Sequence, residues 1–115
     1  MVNTEIEKTK VFFIAGIIDY VPHSISVKTI IKKITGNVCA ISADTGEALT
    51  AKISPFDTFI QVIDGKAEVI IEGDSHMLVN GDCIIIPAHA HNVIRANVRF
   101  KILTTVIKSG YEDLI

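Results

Sequence analysis

Between residues 66 and 72 apolar and charged side chains alternate. Ala67, Val69 and Ile71 fall on one face of an extended chain, and Lys66, Glu68 and Glu72 fall on the other. A period of two belongs to a strand with one face in a core and one in water. The same pattern sets Ile25, Val27 and Ile31 against Ser26, Lys28 and Lys32. Cys83 to Ile86 is a continuous apolar run, which predicts a strand covered on both sides. Turn-forming residues recur at Gly36-Asn37, Asp44-Thr45-Gly46, Pro55, Asp64-Gly65, Gly73-Asp74 and Asn80-Gly81. A spacing of about eight to ten residues is the rhythm of a sandwich or barrel. The pattern therefore predicts two packed antiparallel sheets, with Gly36, Gly46, Gly65, Gly73 and Gly81 at or beside turns.

Composition strengthens this reading. Ile and Val occupy 32 positions against 4 Leu, and β-branched side chains suit pleated strands better than helices. The 115 residues make one domain that can bury roughly two-thirds of its unfolded surface, and no linker, repeat or low-complexity tract divides it. Val11 to Ile18 is an apolar stretch that ends at Asp19, too short to cross a bilayer and without the flanks of a secretory signal. It predicts a short helix near Ile14 to Tyr20 or an added edge strand. Residues 1–24 are thus an amino-terminal segment packed on the barrel or on a partner subunit, and residues 25–110 the barrel itself. The expected location is the cytoplasm, with Cys39 and Cys83 as free thiols. A net charge of −2, with 11 basic residues scattered along the chain, leaves no electrostatic footprint for nucleic acid.

One long stretch carries a known framework. Gly46 is followed by Lys52, Ser54, Thr58 and Gly65, and after a hairpin come Gly81 and Pro87. This spacing resembles the two motifs of the cupin superfamily. Pro55-Phe56-Asp57, the block Gln61 to Val69, the segment Gly81 to Ala88 and Arg99-Phe100-Lys101 are similar to small bacterial and archaeal cupins. The resemblance spans roughly residues 25 to 107 and implies an antiparallel jelly roll, the double-stranded β-helix barrel. It also implies a homodimer. The metal-holding positions, however, have changed. Lys52 and Ser54 stand where the first motif has His, Thr58 stands where it has Glu, and the strictly spaced second-motif position is Asn92, with His91 one residue short.

The candidate chemistry follows from those replacements. His89 and His91 are two apart and share a face on an extended strand, a pair able to grip a divalent transition metal such as zinc, iron, nickel or manganese. A third ligand would come from Asp57, Gln61, Glu47, His23 or His76, none at the family spacing; otherwise the two imidazoles sit at the rim. For Lys52 three readings stand open. Pointing inward, its ammonium takes over the metal's charge and binds an anionic ligand, or, with its pKa lowered by burial, it acts as a base or nucleophile; turned outward by a bulge, it is a surface lysine. Ser54 and Thr58 supply hydrogen-bonding capacity without acid-base strength, and Phe56, Asp57 and Gln61 complete a candidate ligand pocket. Asp82 reads as a turn cap. Two functions remain: a small-molecule-binding barrel with a degenerate metal site, or a metal-dependent enzyme of oxygenase or isomerase type built on His89 and His91. No catalytic residue is assigned.

Overall fold

The computed structural model describes residues 5–50 and 53–108. Its strands are β1 (Ile25–Lys33), β2 (Gly36–Ala43), β3 (Ala48–Thr50), β4 (Thr58–Ile71), β5 (Asp74–Val79), β6 (Cys83–Ile86), β7 (Asn92–Arg95) and β8 (Phe100–Ile107), preceded by a single 3-10 turn at Ile14–Gly16. All pairings are antiparallel. The longest strand, β4, belongs to two sheets. Residues 58–65 pair with β8 and, over 58–61, with β6 on the other side, giving the order β1-β2-β8-β4-β6; residues 66–71 pair with β5 and, over 68–71, with β7, giving β5-β4-β7-β3. The chain is an all-β curled antiparallel barrel, as the alternation and turn spacing predict.

Turn chemistry explains three of the connections. Glu72 and Gly73 both have positive φ, which suits the primed two-residue turn that joins β4 to β5 with the right strand twist. Gly46 takes the left-handed position between β2 and β3, and Gly81 between β5 and β6. Asp82 accepts the Val79 amide at 3.0 Å, so its carboxylate caps the turn before β6.

Gly65 differs from expectation. It lies inside β4, paired with Phe100 of β8, immediately after an irregularity between Val62 and Asp64. The Asp64-Gly65 pair therefore marks the place where one strand passes between sheets, not a reversal. A glycine is required because φ is +78° and a Cβ would meet the Arg99 carbonyl oxygen at 2.1 Å.

The inner faces of both sheets make one core, with Ile60, Val62, Ala67, Val69, Phe100 and Ile102 at most 1% exposed. Each such aliphatic or aromatic side chain contributes about 1.5–3 kcal/mol of burial. A second cluster joins Ile30 of β1, Ala40 of β2 and Leu103 of β8 to Ile6, Ile14, Ile17 and Ile18. The amino-terminal segment thus straps the outer face of the first sheet. Tyr20 fastens it: its hydroxyl donates to the Asp64 carboxylate at 2.5 Å, and Arg99 and Lys101 lie 4.3 and 4.9 Å from its ring centroid. Lys101 Nζ donates to the Ala15 carbonyl at 2.7 Å, and Ser42 Oγ to the Asp19 carbonyl at 2.9 Å.

Two strand faces also differ from the sequence pattern. In β1, Ile25 reaches the core but Val27 and Ile31 are 61% and 46% exposed; at a register shift between Thr29 and Ile31, Ile30 is buried under the strap on the outer face. In β6 only one face is covered, Ile86 being buried and Ile85 60% exposed. Among the described residues this strand pairs only with β4, at the sheet's edge. No helix among the described residues is long and apolar enough to cross a membrane.

Candidate functional site

The barrel encloses a cavity of about 270 Å³. Its position follows from strand parity. Thr58 and Ile60 of β4, Thr104 and Val106 of β8, Ile86 of β6 and Ile41 of β2 share the inner face, and Leu49 of β3 and Ile94 of β7 close it from the second sheet. The mouth is made by two loops, residues 53–57 before β4 and residues 87–91 before β7. They are tied together, because the His89 amide donates to the Ser54 carbonyl at 2.7 Å and the Ala88 amide donates to the Asp57 carboxylate at 2.8 Å.

The lining is mostly apolar. Its polar groups, among the described residues, are Ser54, Thr58, Asn92 and Thr104, all neutral. Ser54 Oγ accepts the Phe56 amide at 3.1 Å, leaving its hydroxyl proton to point elsewhere. The Asn92 amide nitrogen donates to the Ala90 carbonyl at 3.3 Å, so its carbonyl oxygen is the atom left to accept from a ligand. Thr104 Oγ1 makes a long contact of 3.5 Å with the Cys39 carbonyl. Such a surface can orient an apolar molecule bearing one or two hydrogen-bonding groups. Among the described lining residues there is no general acid or base near neutral pH.

Of the residues singled out in the sequence, Ser54, Phe56 and Thr58 meet at this cavity. Asp57 sits beside them in the rim, its carboxylate engaged with the Ala88 amide. Gln61 is on the other parity of β4, between Ile60 and Val62, which are both buried in the core. His89 and His91 are exposed and neither lines the cavity. Left-handed backbone at His89, φ 69°, bends the loop so that Ala90, between the two histidines, is the residue that enters. The His91 backbone is instead held to the β4–β5 hairpin, its amide donating to the Glu72 carboxylate at 2.5 Å and its carbonyl accepting the Glu72 amide at 2.9 Å. Glu47, His23 and His76 line nothing in the cavity. Lys52 lies outside the described residues.

A divalent transition metal does not fit this donor set. It needs three or four imidazole, thiolate or carboxylate groups, and no group of three or more His, Cys, Asp or Glu able to hold one occurs among the described residues. The described motif positions Ser54, Thr58 and Asn92 present only hydroxyl and amide oxygen.

Asn92 and Thr104 are lining residues that the sequence reading left out of the pocket. Signals for both exist. Asn92 stands at the strict second-motif spacing from Gly81, and Thr104 falls in phase with Phe100 and Ile102, whose apolar character marks the inward face of β8.

The resolved pKa shifts lie away from the cavity. Burial, then the bond to Asp64, pushes the Tyr20 hydroxyl well above its ordinary value. The His23 and Thr45 amides hold the Asp44 carboxyl below its usual range, and the Ser75 hydroxyl and Asn97 amide do the same for Glu68.

No protein-family model and no curated protein matches the sequence. Solved structures match its fold. A conserved protein of unknown function from Streptococcus pyogenes is 23% identical over 95% of both chains, with a TM-score of 0.86. A cupin superfamily protein from Desulfitobacterium hafniense is 17% identical over 95% of this chain and 99% of its own, with a TM-score of 0.82. A cupin 2 conserved barrel domain protein from Leptotrichia buccalis is 24% identical over 82% of this chain and 46% of its own, with a TM-score of 0.78.

Proposed function

We propose that this small cupin-fold barrel is a small-molecule-binding module whose ligand is held by shape and by neutral hydrogen bonds. The observation that carries the reading is the lining: an apolar cavity whose polar groups, among the described residues, are Ser54, Thr58, Asn92 and Thr104. A volume of about 270 Å³ is about nine times the share of one liquid water, which suits a compact organic molecule rather than a nucleotide. An added charge contact from Lys52, favouring a carboxylate or phosphate on the ligand, is a finer form of the same proposal. The reading includes a cytoplasmic location, supported by free thiols at Cys39 and Cys83.

Native mass spectrometry of untagged protein, beside elemental analysis, tests it. The expected result is a retained organic mass with transition metal far below stoichiometry, and loss of that mass in Asn92→Leu and Thr58→Val while both variants stay folded. Lys52→Ala measures the charge contact, which would weaken retention by roughly one to two orders of magnitude. Near-stoichiometric metal that disappears in His91→Ala would overturn the binding-module reading in favour of a metal-dependent enzyme.

A further inference from the structure

Polar groups reach the cavity from both sheets. On the first sheet Thr58 of β4 pairs with Val106 and Thr104 of β8 pairs with Ile60, so the two hydroxyls are diagonal neighbours on the inner face. On the second sheet Asn92 is the first residue of β7 and shares the inward parity of Ile94. Much of the surface between them is branched aliphatic, at Ile41, Ile60, Ile86 and Ile94.

Asn92 differs from the three hydroxyl residues in one respect. A hydroxyl rotates to donate or accept as its neighbour requires, whereas a side-chain amide has a fixed acceptor and a fixed donor end. The Asn92 nitrogen donates to the Ala90 carbonyl at 3.3 Å, and a reversed amide would set two carbonyl oxygens against each other. The amide oxygen therefore calls for a donor, and the second N–H of the nitrogen for an acceptor. A ligand that displaces water from this edge without replacing those contacts leaves a polar group unpaired. An alcohol or a carboxamide carries donor and acceptor together. A carboxylate is acceptor only and cannot satisfy the Asn92 oxygen, so a ligand that also uses Lys52 must carry its anionic group separately.

Size narrows the class further. An apolar cavity of about 150 Å³ holds benzene, and in the same proportion about 270 Å³ holds on the order of ten non-hydrogen atoms. We infer that the ligand is a hydroxyl- or carboxamide-bearing molecule of that size, its polar group paired with the Asn92 amide and its apolar body against Ile60, Ile86 and Ile94. The inference rests on the binding-module reading and adds the chemical class of the ligand, with Asn92 as the residue that selects it.

Two pairs of probes test it in nuclear magnetic resonance titrations of the full chain. Benzyl alcohol is matched with ethylbenzene, and benzamide with benzoate; each pair has the same size, and only the first member carries a donor. Benzyl alcohol and benzamide should each bind at least about fivefold more tightly than the matched probe. Asn92→Leu, and Asn92→Ala, which leaves the space open, should bring both ratios to within about twofold of unity while the circular dichroism spectrum stays that of the wild type. Binding of all four probes without preference, or a preference that survives in both variants, overturns the inference and leaves the binding-module reading in place. Binding of none at millimolar concentrations also overturns it; the binding module itself falls only on the retained mass and metal content.

Discussion

Replacing Gly65 by alanine tests whether the junction between the two sheets has been read correctly. Two costs meet at this position. The first is conformational: φ is +78°, where an L side chain costs about 1–2 kcal/mol. The second is steric and comes from backbone, which cannot rotate away. The added Cβ would lie 2.1 Å from the Arg99 carbonyl oxygen and 3.0 Å from Phe100 Cα, against an ordinary contact distance of 3.4 Å or more. β4 and β8 must part by more than 1 Å where Phe100, fully buried, anchors the core. Overpacking of that kind costs about 1–3 kcal/mol, giving roughly 2–5 kcal/mol in all, a large part of a typical total stability of about 5–15 kcal/mol. Gly73→Ala isolates the first cost, since its φ is +85° and nothing lies within 4 Å of its Cβ. Thermal and urea unfolding followed by circular dichroism should show Gly65→Ala less stable than Gly73→Ala by about 1–3 kcal/mol, a difference of roughly 3–15 °C in Tm for a chain of this length. If the two variants fall within about 0.5 kcal/mol of each other, the close approach of β4 and β8 is not as described.

Tyr20→Phe removes the hydrogen bond that fastens the amino-terminal strap to Asp64 and should lower stability by about 1–2 kcal/mol at neutral pH in urea titrations. Because the folded Tyr20 pKa is raised, its contribution is fully present below about pH 10 and is lost as pH rises beyond that; the wild type should weaken there more steeply than Tyr20→Phe. Asp44 behaves in the opposite sense. Its folded pKa is lowered by the His23 and Thr45 amides, so its contribution is present above about pH 4 and lost on acidification below it, and Asp44→Asn should show a shallower fall in urea midpoint between about pH 5 and pH 2.

Much of the fold was legible because strand parity is local. Ala67 and Val69 are buried, as their alternation with Lys66 and Glu68 predicts, and Gly73 and Gly81 mark real turns because only a few residue types tolerate their backbone angles. Of the changed motif positions, Ser54 and Thr58 line the cavity. Other features depended on chain segments distant in sequence. Nothing local distinguishes Gly65 within a strand from a glycine in a hairpin; the passing carbonyl of Arg99 makes the difference. Val27 and Ile31 look like core residues, yet β1 is an edge strand whose bulge places Ile30, on the outer face, against a strap contributed by residues 6–18. His89 and His91 share a face only if the backbone is extended, and left-handed geometry at His89 sends Ala90 to the cavity instead. A residue's own side chain and its immediate neighbours determine which way it can face on a regular strand. Which face is covered, and by what, is decided by strands and loops that meet only when the barrel closes.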